Sequence, residues 1–88
     1  MTHEPIRDRV RDLVVEAAPT AVARADGAST LTGDLGYDSL GLLELMSLLE
    51  AEFDLPPVDD DFSAVRTLRD AEDMVLRVLA AQGEQVGV

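Results

Sequence analysis

Gly36-Tyr37-Asp38-Ser39-Leu40, with the run Gly41-Leu42-Leu43-Glu44-Leu45-Met46-Ser47-Leu48-Leu49-Glu50-Ala51-Glu52-Phe53 behind it, decides how this chain folds. Gly33 and Gly36 interrupt the chain just before it. Asp38 or Ser39 can then cap a helix, since either side chain accepts a bond from an orphan N–H of the first turn. From there Leu42, Leu45, Met46, Leu49 and Phe53 recur at helical spacing. The spacing predicts a helix of about four turns, with Ser39 at its start. A hydroxyl there lies at the positive end of the helix, which favours phosphate groups.

The outer face of this helix is also informative. The inward stripe centres on Leu49, and Leu40 and Leu43 project to the opposite side among Glu44, Ser47 and Ala51, with Leu48 between the faces. A surface helix normally carries charge opposite its core stripe. Outward leucines rimmed by acids point to a docking surface.

Working outward, an N-terminal helix is expected from about His3 to Ala18. Thr2 is its cap, Pro5 suits the first turn, and Ile6, Val10, Leu13, Val14 and Ala17 form its buried stripe. Pro19 ends it. A long connection to Tyr37 follows, with Leu31 and Leu35 as its expected anchors and Val22 as a possible inward turn. A loop this long in a small domain packs on the core or carries function. After the central helix, Pro56 and Pro57 impose an extended crossing. Asp59-Asp60-Asp61 opens a short helix to about Ala64. Thr67-Leu68-Arg69-Asp70 resembles a capping box, with aspartate in place of the usual glutamate. The last helix is expected to run to about Ala81, burying Leu68, Ala71, Met74, Val75, Val78 and Leu79, and to stop at Gly83. With no alternating strand pattern, the expected fold is all-α: a small four-helix bundle of three longer helices and one short, with a long first loop. It forms one domain over residues 1–88, with a core at about 3–82 and a disordered tail at 83–88.

Composition narrows the function. The chain has 88 residues, 47% of them hydrophobic, and a net charge of −11. It is too apolar to be disordered, and it has no disulfide to rely on. Residues 25–65 hold ten acids and no basic residue, while the flanking segments are close to neutral. Nucleic acid would require a basic patch, so it is excluded as a partner. The acidic field instead steers in basic protein surfaces. No apolar run reaches membrane-spanning length and no secretory signal opens the chain, so the expected location is the cytoplasm and no membrane is involved.

Catalysis by this chain is also excluded. A serine nucleophile needs a base, and the one histidine, His3, lies near an end. Tyr37 stands where a nucleophile elbow needs glycine. Asp59-Asp60-Asp61 lacks the alternation, central glycine and closing glutamate of a calcium loop, so no metal site is expected.

The residues Leu35-Gly36 and Asp38-Ser39-Leu40, followed by Glu44 and Phe53, resemble the acyl carrier protein family, and the likeness runs from about Ile6 to Ala81. The resemblance implies that Ser39 carries 4′-phosphopantetheine, supplied from coenzyme A by a phosphopantetheinyl transferase, and that Asp38 supports the modification. The arm's thiol would hold acyl chains as thioesters, sheltered between the central helix and the short third one. Ketosynthase, acyltransferase and tailoring enzymes with basic surfaces would dock on Leu40, Leu43, Glu44, Ser47 and Glu50. The form Gly36 to Glu44 looks most like the discrete carriers of type II polyketide synthases, which serve antibiotic biosynthesis, and implies a free-standing monomer. Gly41, Ser47, Ala51 and Pro57-Val58 depart from the fatty-acid type. The alternatives are a carrier of fatty-acid or aminoacyl and peptidyl intermediates, or an unmodified acidic interaction module.

Overall fold

The computed structural model describes residues 4–20 and 25–86, with side chains to Gln82. The expectations for Thr2, His3 and Val22 lie outside the described residues. Among the described residues four helices follow in order: α1 Glu4–Ala17, α2 Ser39–Phe53, α3 Asp59–Phe62 and α4 Leu68–Val86. Among the described residues there is no strand, only an isolated bridge between Thr30 and Thr67. α1 packs on both α2 and α4, and α3 lies against α4.

The periodic residues meet in the middle. Val10 and Val14 of α1, Leu45 and Leu49 of α2, and Leu68, Ala71, Met74 and Val75 of α4 are fully buried. Ile6, Leu13, Leu42, Met46, Phe53 and Leu79 pack around them. Ala17, expected on the buried stripe of α1, is exposed. It is the last residue of α1, where the chain turns away through Pro19.

The long first loop behaves as a structural element. Leu31 and Leu35 are buried as expected. Its backbone is laced to the start of α4: Leu31 N–H donates to Arg66 O, Leu68 N–H to Ser29 O, and Arg69 N–H to Gly27 O, at 3.0, 2.9 and 3.0 Å. Thr30 and Asp34 exchange backbone-to-side-chain bonds of 2.9 Å each way. Gly36 has φ of +81°, and a Cβ there would collide with Thr20 Oγ1. Glycine is therefore required at this turn into α2.

Tyr37 closes the loop onto α1. The ring is buried and its hydroxyl donates to Val14 O at 2.6 Å. Burial pushes this phenol up from 10.0 to about 12. The unfolded chain therefore ionises first on the alkaline side. Stability from Tyr37 is fully present below about pH 10 and is lost as pH rises through about 12, amounting to about 2–3 kcal/mol at 1.36 kcal/mol per unit. Denaturant titrations at pH 8 and above pH 11 should show this loss, and Tyr37→Phe should flatten it. The chain holds one tyrosine, so tyrosinate absorbance reports the group directly.

The two ends of the last helix compare differently with expectation. The capping box forms: Thr67 N–H donates to Asp70 Oδ2 at 3.1 Å, and Asp70 N–H donates to Thr67 Oγ1 at 3.2 Å. Bonds from the backbone N–H groups of Arg66 and Thr67 hold the Asp70 carboxyl below its ordinary range. The far end is a correction. α4 does not stop at Gly83 but continues to Val86, so residues 84–86 are helix rather than the expected tail. A glycine inside a helix costs only about 1 kcal/mol relative to alanine. No proline follows to force a stop, and Glu84 and Gln85 favour the helix. The third helix is also shorter than expected, ending at Phe62 instead of Ala64.

Candidate functional site

Asp38 and Ser39 divide the work at the start of α2. Asp38 is the N-cap, with extended backbone (φ −104°, ψ −175°), and its Oδ1 accepts from Gly41 N–H at 2.7 Å. The sequence left either residue as the cap; the structure gives the cap to Asp38. Ser39 is then the first helical residue, exposed, and its hydroxyl makes no hydrogen bond within the described residues. A free hydroxyl thus stands at the electropositive end of a helix of 15 residues.

Gly41 contributes to this arrangement. A Cβ at this position would lie 3.2 Å from both Asp38 Oδ1 and Tyr37 Cδ1, tighter than ordinary packing. Glycine lets the capping carboxylate and the buried tyrosine ring close on the first turn together.

Beyond Ser39 the outer face of α2 carries Leu40 and Leu43, 65% and 57% exposed, and Leu48 at 43%. Glu44 and Ser47 are exposed beside them. Glu50 differs from the other expected docking residues. It is half-buried, and its Oε2 accepts from Val58 N–H at 3.0 Å, so it ties the proline crossing to α2. The chain turns off α2 at Asp54, which adopts the left-handed conformation (φ 53°) and donates its N–H to Glu50 O. This turn swings α3 across to face the first half of α2.

That placement opens a groove of about 360 Å³ beside Ser39. Its lining is Ser39, Leu42 and Leu43 from α2, and Phe62, Ser63, Val65 and Arg66 opposite. The resemblance implies a shelter between these helices, but it does not single out Phe62, Val65 or Arg66. They carry no motif, and only the tertiary placement of α3 brings them to Ser39. Arg66 is fixed by its own neighbours: Nη1 donates to Ser63 O at 2.8 Å and to Val65 O at 3.3 Å.

The arrangement can do two things chemically. Ser39 can accept a phosphorus electrophile without giving up a structural bond, because Asp38 keeps the cap. The groove can take an apolar or mixed chain tethered at that hydroxyl.

The family model described as "Phosphopantetheine attachment site" matches residues 8–75. An acyl carrier protein of Chlorobium luteolum is 35% identical over 77 residues, 88% of this chain and 99% of that one. An acyl carrier protein of Cyanidioschyzon merolae is 34% identical over 77 residues, 88% of this chain and 85% of that one. The crystal structure of an acyl carrier protein from Thermotoga maritima aligns with a TM-score of 0.75 at 27% identity, covering 91% of this chain and 98% of that one.

Proposed function

The chain belongs to the acyl carrier protein family, whose phosphopantetheine-binding domain carries covalent 4′-phosphopantetheine, and from that premise we propose that Ser39 Oγ is the attachment point. The observation that carries this is the unbonded, exposed hydroxyl of Ser39, released from capping by Asp38 and opening onto the groove. In the transfer, Ser39 Oγ bonds to the phosphorus of the pantetheine arm of coenzyme A. The adenosine bisphosphate portion leaves with the electron pair of the broken P–O bond, and the serine proton passes to the transferase or solvent. The arm then supplies a thiol that holds acyl groups as thioesters. The chain's own residues position this chemistry: Asp38 keeps the first turn formed, and Leu42, Leu43, Phe62 and Val65 offer the tethered chain an apolar wall. Incubation with coenzyme A, magnesium and a broad-specificity phosphopantetheinyl transferase should add a single phosphopantetheine to the intact mass.

The transferase and the synthase enzymes are proposed to dock on Leu40, Leu43, Glu44 and Ser47, with Glu50 at the edge because its carboxylate serves Val58. Ten acids and no basic residue between 25 and 65 favour arginine- and lysine-rich partner surfaces. Such contacts must be brief, and exposed charge pairs suit that. Charge reversal Glu44→Lys should slow loading about five- to tenfold at low salt, the equivalent of roughly 1 kcal/mol, and the difference should shrink as salt is added. The unfolding midpoint should stay put, since Glu44 is exposed.

Among carriers, the form Gly36-Tyr37-Asp38-Ser39-Leu40-Gly41-Leu42-Leu43-Glu44 supports a discrete carrier of a type II polyketide synthase over the fatty-acid type. Gly41, Ser47 and Ala51 stand where fatty-acid carriers commonly present acids or a bulky apolar residue, so the docking set is thinner. Partners tuned to fatty-acid carriers should bind it poorly.

A further inference from the structure

The groove beside Ser39 is apolar along most of its length, with one cation at its rim. That cation, Arg66, is the first basic residue after a stretch of 41 positions, 25–65, that holds ten acids and no basic one. Four other arginines are committed to carboxylates: Arg7 to Glu72 and Asp73, Arg9 to Glu52, Arg11 to Glu72, and Arg77 to Asp61. Asp70 feels its charge, but among the described residues Arg66 has no carboxylate within ion-pair distance. Its Nη1 is held by two carbonyls, those of Ser63 and Val65, at 2.8 and 3.3 Å. Its Nε and Nη2 donate to nothing within the described residues. A guanidinium pinned through one nitrogen and free through the other two loses little entropy when an oxyanion arrives. Such a fork suits the two non-bridging oxygens of a phosphodiester.

Resting on the attachment proposed at Ser39, we infer that Arg66 is a positioning residue for the arm's phosphodiester, drawing it across the mouth of the groove and directing the arm over Val65 and Phe62. The phosphodiester is the one anion that loading places permanently beside this groove. No other basic residue between positions 25 and 66 competes for it. The same contact makes Arg66 sensitive to loading: in the apo chain it is solvated, and in the loaded chain it is paired. A purely structural role, tying Ser63 and Val65 at the end of α3, requires only Nη1 and does not involve the arm.

The test uses the loaded, full-length chain. Wild type, Arg66→Ala, Arg66→Gln and Arg66→Lys are each loaded with coenzyme A and a transferase, with intact mass confirming the addition. The ³¹P resonance of the phosphodiester is then read alongside cross-relaxation between the arm's geminal methyls and the side chains of Val65 and Phe62. In wild type the ³¹P resonance should differ from that of the same chain in denaturant and move towards it as salt is added. Arg66→Ala and Arg66→Gln should lose that shift and the methyl contacts, while Arg66→Lys should keep part of both. Arg66→Gln keeps polar donors on a long side chain, and thermal unfolding of each variant separates loss of fold from loss of contact. A ³¹P resonance unchanged between loaded wild type and loaded, folded Arg66→Ala would overturn the inference and leave the attachment at Ser39 standing. No added mass on wild type would overturn both.

Discussion

Ser39→Ala should take up no phosphopantetheine while folding as well as wild type. The two halves of this result come from different residues. Loading fails because the proposed nucleophilic oxygen is gone, and no neighbouring hydroxyl replaces it: Ser47 lies two turns along α2, and Ser63 Oγ is donated to Asp60 O at 2.6 Å. The fold survives because the hydroxyl of Ser39 bonds to nothing among the described residues and Asp38 holds the cap. An exposed substitution of that kind moves stability by no more than about 0.5 kcal/mol, and alanine is the better helix former. The contrasting variant is Asp38→Ala. It leaves the nucleophile in place but removes the bond to Gly41 N–H, at a cost of about 1 kcal/mol. Intact mass after transferase treatment, with urea unfolding of the same samples, separates the two. Mass added to Ser39→Ala would move the attachment elsewhere, and a large loss of stability in that variant would mean the serine, not the aspartate, caps the helix.

The pair Asp38-Ser39 also shows where sequence reasoning runs out. Both residues are good caps, and local preference does not rank them. The choice is made by the chain's approach: Gly36 at positive φ and Tyr37 locked to Val14 O deliver the backbone extended at Asp38, one residue before the helix. The four-helix fold was legible because its apolar positions repeat at helical spacing and because Pro19, Pro56 and Pro57 mark the breaks. Leu31 and Leu35 were legible as leucines in a loop otherwise rich in small and polar residues. Gly83 misled because a glycine near a helix end stops it only if the following chain can turn away, and here the helix continues. Glu50 stands in the docking set that the resemblance implies, and its oxygen also serves Val58 N–H, eight residues away around a turn that local pattern does not encode. Arg66 and Phe62 of the groove were invisible for the same reason.

Glu72 is the strongest example of this, and it carries the second large effect. In sequence it lies between Asp70 and Asp73, and no motif sets it apart from those acids. In the structure it is 2% exposed, on the same helix as the buried Ala71, Met74 and Val75. Two arginines from α1 make that possible. Arg7 Nη1 donates to Glu72 Oε1 at 2.9 Å and Arg11 Nη2 donates to Oε2 at 3.1 Å, while Arg7 Nη2 reaches Asp73 at 2.8 Å. The α1–α4 contact is therefore clamped by a buried carboxylate between two half-exposed guanidinium groups. Leaving the carboxylate without either cation should cost much more than removing the whole clamp. Arg7→Met with Arg11→Met strands a buried charge and should destabilise the chain by about 3 kcal/mol, the low end for a broken buried pair because water can enter the emptied arginine sites. For a domain of this size that is a large part of a total near 4–13 kcal/mol. Adding Glu72→Met to the double variant replaces the charge with apolar surface of similar volume and should recover most of the loss. Urea unfolding of the double and triple variants gives the comparison directly. A triple variant no more stable than the double would mean that the arginines hold α1 to α4 by packing their stems, and that the charge of Glu72 contributes little.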